Sequence, residues 1–323
     1  MDSVALQTLT SPVILFFILG MLAGAARSEL SIPEAMAKGM SLYLMASIGL
    51  KGGVAMAKSG VNGEVGAALL AGIIASLAIP FAAYALLRSF GRLSRIDAGA
   101  VAAHYGSVSV VTFVTAGEIL KGVGMIPAGF MVAVLAVMET PAILSGLYLA
   151  RRGVAKAGDD GGGGLWHEVF LNASVVLLLG SFAIGWIAGP VKFEEVKLLF
   201  DGLFKGILCL FLLDMGLIAA RRLLQSRAIN ARLVTLAILF PLVNGMLGVA
   251  VATAIGLDPG SAAAFGVLCA SASYIAVPAA MRLALPQADP GIYLTMSLSL
   301  SFPFNLIINI GLIAWAARAL AGS

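Results

Sequence analysis

Stretches of about twenty mostly apolar residues recur along this chain, the length an α-helix needs to cross the hydrocarbon core of a bilayer. They run near 11–26, 34–53, 64–88, 98–119, 127–150, 167–189, 196–220, 229–255, 260–283 and 289–319. Lipid offers no water to an unpaired N–H or C=O, so such runs must fold as a helical bundle. A β-barrel would instead show weak alternating segments of about ten residues. Only 11% of the 323 residues are charged, and 60% are hydrophobic. A soluble domain carries roughly 25% charged residues. So few charges cannot coat a globule of this size, and lipid is part of the solvent.

The net charge of +4 suggests nucleic acid only where basic residues cluster, and here they are spread over short loops. That is the ordinary pattern of a membrane protein. The first ten residues carry Asp2 and no Lys or Arg, so they lack the basic start of a signal peptide. Thr10–Ser11–Pro12 reads as an N-cap followed by proline at a helix start. Cys209 and Cys269 both fall within apolar runs and read as small buried hydrophobes rather than a disulfide or metal site.

The longest non-apolar stretch, RRGVAKAGDDGGGGLWHE (151–168), marks a linker. It divides the chain into a five-helix half over 1–152, a cytoplasmic glycine-rich linker over 153–166, and a second five-helix half over 167–323. With the N-terminus outside, the inward loops hold twelve basic residues, Arg88, Arg151 and Arg222 among them, against six outside. This bias puts both termini outside and the linker in the cytoplasm. Five spans per half make the second half enter from the opposite side, so two similar halves form an inverted repeat. LMASIGLKGG (44–53) parallels FLLDMGLIAA (211–220), and ETPAILSGLYLARR (139–152) loosely parallels SFPFNLIINIGLIA (301–314). GMLAG (20–24) is a GxxxG match, read as tight helix packing rather than a dimer motif.

Two segments in equivalent places carry Ser-x-Ser. AHYGSVSVVTFVTA (103–116) holds Ser107 and Ser109, and VLCASASYIAVPAA (267–280) holds Ser271 and Ser273. Gly106 precedes the first pair and Pro278 follows the second. They are expected to interrupt the fourth and ninth helices. A broken helix frees N–H groups on one half and C=O groups on the other. The N-terminal end attracts an anion, while free carbonyls and hydroxyls suit sodium. Serine and threonine in membrane helices often only bond their own backbone; two equivalent pairs favour a site. Thr112 and Thr115 add hydroxyls.

Glu139, before Pro141, is the stronger candidate for cation or proton coupling, since an acid at mid-span costs on the order of 3 kcal/mol and faces a cavity or a partner. Asn305, after Pro303, is its neutral counterpart. Asp214 is expected to pair with Lys51 or Lys205, or to sit at a protomer contact. His104 reads either as a pH-responsive group or as a neutral packing residue. Two histidines, His104 and His167, cannot form a histidine metal cluster. The chain has no P-loop and no GxSxG, which argues against an enzyme and against ATP coupling.

The chain resembles the sodium-dependent bicarbonate transporter family from end to end. SPVILFFILGMLAG (11–24), IPEAMAKGMSLYLMASIGLKGG (32–53), GSVSVVT (106–112) and SASYIAVPAAMRLALPQADPGIY (271–293) carry the resemblance. It implies ten spans in inverted five-helix repeats and a homotrimer. It implies inner-membrane symport of sodium and bicarbonate, with a PII-like cytoplasmic regulator. Carried over by position, Gly106, Ser109, Thr112, Ser271 and Ser273 form the substrate and sodium region, with Ser107 beside them. Anion contacts are expected from Ser109 and Ser273, and cation contacts from Thr112, Ser271, Glu139 and freed carbonyls. Tyr274 stands where the family pattern has an acid, and Ala276 where it has a serine. The second segment keeps its serines and lacks the acid, so the anion site is implied more firmly than the sodium site. Two other functions fit the same residues: carriage of another small anion with sodium or protons, and a membrane ion sensor or scaffold without turnover.

Overall fold

A computed structural model describes residues 10–60, 63–151, 173–225 and 229–322. The linker expected over 153–166, the ends of its flanking halves and His167 lie outside the described residues. The described secondary structure is helical throughout. The helices are α1 (Pro12–Ala25), α2 (Glu34–Ser59), α3 (Gly63–Ser89), α4 (Arg95–Gly106), α5 (Val110–Gly122), α6 (Met131–Glu139) and α7 (Pro141–Arg151). They continue as α8 (Ala173–Phe193), α9 (Phe204–Gln225), α10 (Ala231–Ala254), α11 (Pro259–Ala270), α12 (Ala276–Ala284) and α13 (Pro290–Ala321), the last containing two wider π turns.

The chain is a multi-pass membrane protein. Among the described residues, eight helical stretches are long and apolar enough to cross a bilayer, and α1 and α11 are shorter apolar helices. Of the ten runs read from the sequence, eight therefore reach spanning length. The α1 run stops at 14 residues, and the run over 260–283 is cut in two by its own break. Ser11 holds the extended N-cap conformation and Pro12 the first helical position, but the Ser11 hydroxyl does not cap the helix.

The helices sort into two packed groups. In the first, α1 lies on α9 and α2 on α8. Glycine sets these contacts: a Cβ on Gly20 would collide with the Leu213 carbonyl, and one on Gly53 with the Phe182 carbonyl. Lipid is as apolar as leucine, so close backbone approach replaces the hydrophobic drive. The GMLAG motif thus serves a contact within the chain. In the second group, α3 packs on α4, α4 on α7, and α10 and α13 on α11. The stretch Arg95–Gly122 is buried along its whole apolar window, whereas α3 and α8 bury less than a third of theirs. The interrupted helix α4–α5 therefore runs through the interior, and α3 and α8 lie at the lipid.

Lys51 makes its ion pair with Asp201 at 3.3 Å and sits over the Phe204 ring at 3.6 Å. This corrects the expected pairing of Lys51 with Asp214. Arg221, two turns along α9, is the cation near buried Asp214, and Lys205 is exposed. A groove of about 830 Å³ between α2 and α8, lined by Leu42, Leu50, Ile184 and Phe200, holds none of the expected site residues.

Candidate functional site

Both Ser-x-Ser segments are breaks in buried helices. Ser94 caps α4 by accepting from the Asp97 N–H, and Asp258 caps α11 by accepting from the Gly260 and Ser261 N–H groups. Each helix then runs for 12 residues and stops. Ser107 and Ser271, the first residues beyond, are both extended (φ/ψ −86°/176° and −78°/162°). The first break spans 107–109 and the second 271–275. Pro278 lies within the first turn of α12, where the missing N–H costs nothing, so the break precedes it.

The two breaks touch. The Ser109 N–H donates to the Ser271 hydroxyl at 3.0 Å, and that hydroxyl donates to the Leu268 carbonyl at 2.8 Å. The Ser273 N–H donates to the His104 carbonyl at 2.9 Å. Each broken strand thus supplies a partner for the backbone the other leaves unpaired, as a lipid-embedded chain requires. The serine hydroxyls also cap the second half-helices. Ser109 Oγ accepts from the Thr112 N–H at 3.1 Å, and Ser273 Oγ from the Val277 N–H at 3.3 Å.

The remaining expected residues join the same web. Ser107 Oγ donates to the Glu139 carbonyl at 2.9 Å. Glu139 ends α6, just before the Thr140–Pro141 kink, and the neighbouring Met138 carbonyl accepts from Ser76 Oγ at 2.7 Å. The Glu139 side chain is buried, and its Oε2 has no hydrogen-bond partner. Asn305 Nδ2 donates to the carbonyl of Ala270, the last residue of α11, at 2.9 Å, and Asn305 Oδ1 accepts from Asn309 Nδ2 at 2.8 Å. Gly106 is the last residue of α4. A Cβ there would sit 2.5 Å from Pro80 Cδ and 2.9 Å from Ala142 Cβ, so glycine is needed for space.

Some hydroxyls serve structure alone. Pro241 interrupts α10 and has no N–H, which leaves the Ala237 carbonyl four residues back without a helical partner. Ser301 Oγ donates to it at 2.6 Å. Tyr105 Oη shares a 2.6 Å hydrogen bond with the same Ser301 hydroxyl.

Other groups in the interior are buried and unpaired. His104 Nδ1 lies 2.6 Å from the Ala100 carbonyl, which only accepts, so Nδ1 carries the proton in that contact and Nε2 is left without a partner. Its ring stacks on Tyr293 at 4.6 Å. Thr115 Oγ1 and Ser299 Oγ also lack partners. Ser299 lies in the π turn Thr295–Ser301, where the sequence carries no marker except a run of serines. No Lys or Arg is buried among the described residues, so the positive character of the crossing comes from backbone N–H groups and helix ends. Metal-ligand clusters of His, Cys, Asp or Glu are likewise absent among the described residues.

A helical membrane protein with two interrupted helices meeting in its interior has the architecture of a solute carrier. The chain belongs to the Na+-dependent bicarbonate transporter superfamily, whose family model matches residues 12–318. No curated protein matches the chain.

Proposed function

We propose that the chain carries bicarbonate into the cell with sodium, by alternating access across the inner membrane. The observation that carries this reading is the crossing itself, where Ser109 bonds Ser271 and Ser273 bonds His104. Such a junction sets the start of α5 against the end of α11 and the approach to α12 against the end of α4. Helix N-termini attract anions, and free carbonyls and hydroxyls attract sodium. In this reading the anion lies at Ser109, Ser273 and the first N–H groups of α5. Sodium lies among Thr112, Ser271, Glu139 and the kinked carbonyls, with Asn305 holding the end of α11 in place. The group α1, α2, α8 and α9 is the gate, and the group around the crossing is the moving core.

The same reading takes the chain as ten spans in two inverted halves, with both termini outside. The pairing of α1 with α9 and α2 with α8 supports it, since two-fold related halves place the first helix of each on the second of the other. The packing of α3 on α4 and of α10 on α11 is alike. Assembly as a homotrimer and contact with a PII-like regulator belong to the same proposal.

One observation favours a second reading. Glu139 is a buried acid with an unpaired oxygen, and such a group can carry a proton in place of coordinating sodium. Uptake of H14CO3− by proteoliposomes separates the two. Sodium coupling predicts loss of uptake when choline replaces sodium at constant pH. Proton coupling predicts that uptake survives choline and collapses with the pH gradient.

A further inference from the structure

Tyr274 lies in the second break, between Ser273 and the start of α12. It is 8% exposed. Its ring tilts against Phe302 at 5.1 Å, and Phe302 meets Phe17 of α1 edge-on at 5.3 Å. Three rings from two helix groups thus fix where the phenol points. The hydroxyl faces the Ser109 side chain yet makes no hydrogen bond of acceptable geometry. The Ser109 oxygen accepts from the Thr112 N–H.

A buried phenol without a partner costs free energy that a packed interior does not ordinarily tolerate. Ser109 is the N-cap of α5, and the N–H groups of Val110 and Val111 that follow it have no carbonyl to meet within the helix. The positive end of that helix lies there too. The groups gathered at this point are therefore donors, and all are neutral. No Lys or Arg is buried among the described residues, and a sodium ion held beside buried Glu139 is balanced by that carboxylate, so no cation is left over for a second negative charge. Neutral donors can share one charge between them, but a dianion would keep one charge uncompensated in a dry interior.

We propose that Tyr274 is a substrate-recognising residue. Its Oη–H donates to the bound oxyanion, and the site takes oxyanions of charge minus one. Phe302 and Phe17 hold the ring as the wall beside the anion. This rests on the reading of the crossing as the anion site.

The test is calorimetric binding to the full-length protein in nanodiscs, with sodium present and with bicarbonate, nitrate and sulfate as probes. Wild type is expected to bind bicarbonate, with nitrate competing and sulfate failing to compete. Tyr274→Phe keeps the ring contacts and removes the donor, and is expected to weaken bicarbonate binding about tenfold without lowering the melting temperature. Equal binding by Tyr274→Phe, or sulfate binding as tight as bicarbonate, overturns the proposal and leaves the crossing as the anion site. Absence of binding by wild type overturns both. An infrared difference spectrum of wild type with ring-labelled tyrosine needs no variant. Bicarbonate is expected to shift one tyrosine C–O band, and an unshifted spectrum from bicarbonate-loaded protein overturns the assignment.

Discussion

The Ser109 N–H donates to the Ser271 hydroxyl at 3.0 Å, across 162 residues of sequence and between two helices that both stop short in the interior. Each partner answers a need of the other. Ser109 stands where α5 has begun and its amide has no helical carbonyl. Ser271 stands where α11 has ended, and its hydroxyl turns back to the Leu268 carbonyl. The pair is at once a structural tie and the nearest polar surface to the half-helix N-termini.

Ser271→Ala removes the acceptor and leaves the Ser109 N–H buried without a partner, at a cost of about 1–3 kcal/mol. The expected outcome is a lower melting temperature in detergent. Ser109→Ala leaves its own N–H bonded to Ser271 and removes only the cap on the Thr112 N–H, a loss of about 1 kcal/mol. A melting series that ranks Ser109→Ala below Ser271→Ala in stability contradicts this account of the tie.

Gly106→Ala places a methyl against Pro80 and Ala142. Overpacking of a rigid site costs about 1–3 kcal/mol or more, and here it also pushes the end of α4 away from Pro80 of α3. We expect reduced yield of folded protein and little uptake. Gly117→Ala on α5 meets open space and is the matched control, expected to leave yield unchanged. Size-exclusion recovery of the two variants makes the comparison.

Asn305→Ala deletes the donor to the Ala270 carbonyl and the acceptor for Asn309. The expected loss is about 1–3 kcal/mol. Asn305→Asp is expected to do worse, because a carboxylate would face a carbonyl oxygen. Thermal unfolding of the pair checks the order.

Glu139→Gln keeps the shape of the side chain and removes its charge. If Glu139 helps hold sodium, the apparent sodium affinity of uptake falls about tenfold or more, and the bicarbonate KM at saturating sodium stays close to wild type. An unchanged sodium titration removes Glu139 from the cation site.

The helical membrane class was legible from span length and scarce charge, because lipid leaves a chain few other choices. The breaks were legible too, from Ser-x-Ser pairs in matched places of the two halves. Which groups pack together was not. A lipid-embedded helix is apolar on every face, so its sequence has no polar side to mark the exterior, and the packing of α1 on α9 is written in small residues such as Gly20, Gly24 and Gly216. The Lys51–Asp201 pair has no local mark in the sequence, because it joins the end of the 34–53 run to the start of the 196–220 run. The π turns of α13 have no sequence signature beyond clustered serines. Ser301 shows the limit of composition as a guide: its hydroxyl is as buried as those of the crossing and fills a gap left by Pro241. Tyr274 was visible as a departure from the family pattern, but its stack on Phe302 required the fold.

The central claim is that the crossing holds the substrate. Its most direct test is H14CO3− uptake under an inward sodium gradient by vesicles containing wild type or Ser109→Ala/Ser273→Ala at matched abundance. The account predicts accumulation by wild type that disappears with choline, and background uptake by the double variant. Equal accumulation by the two proteins would contradict it.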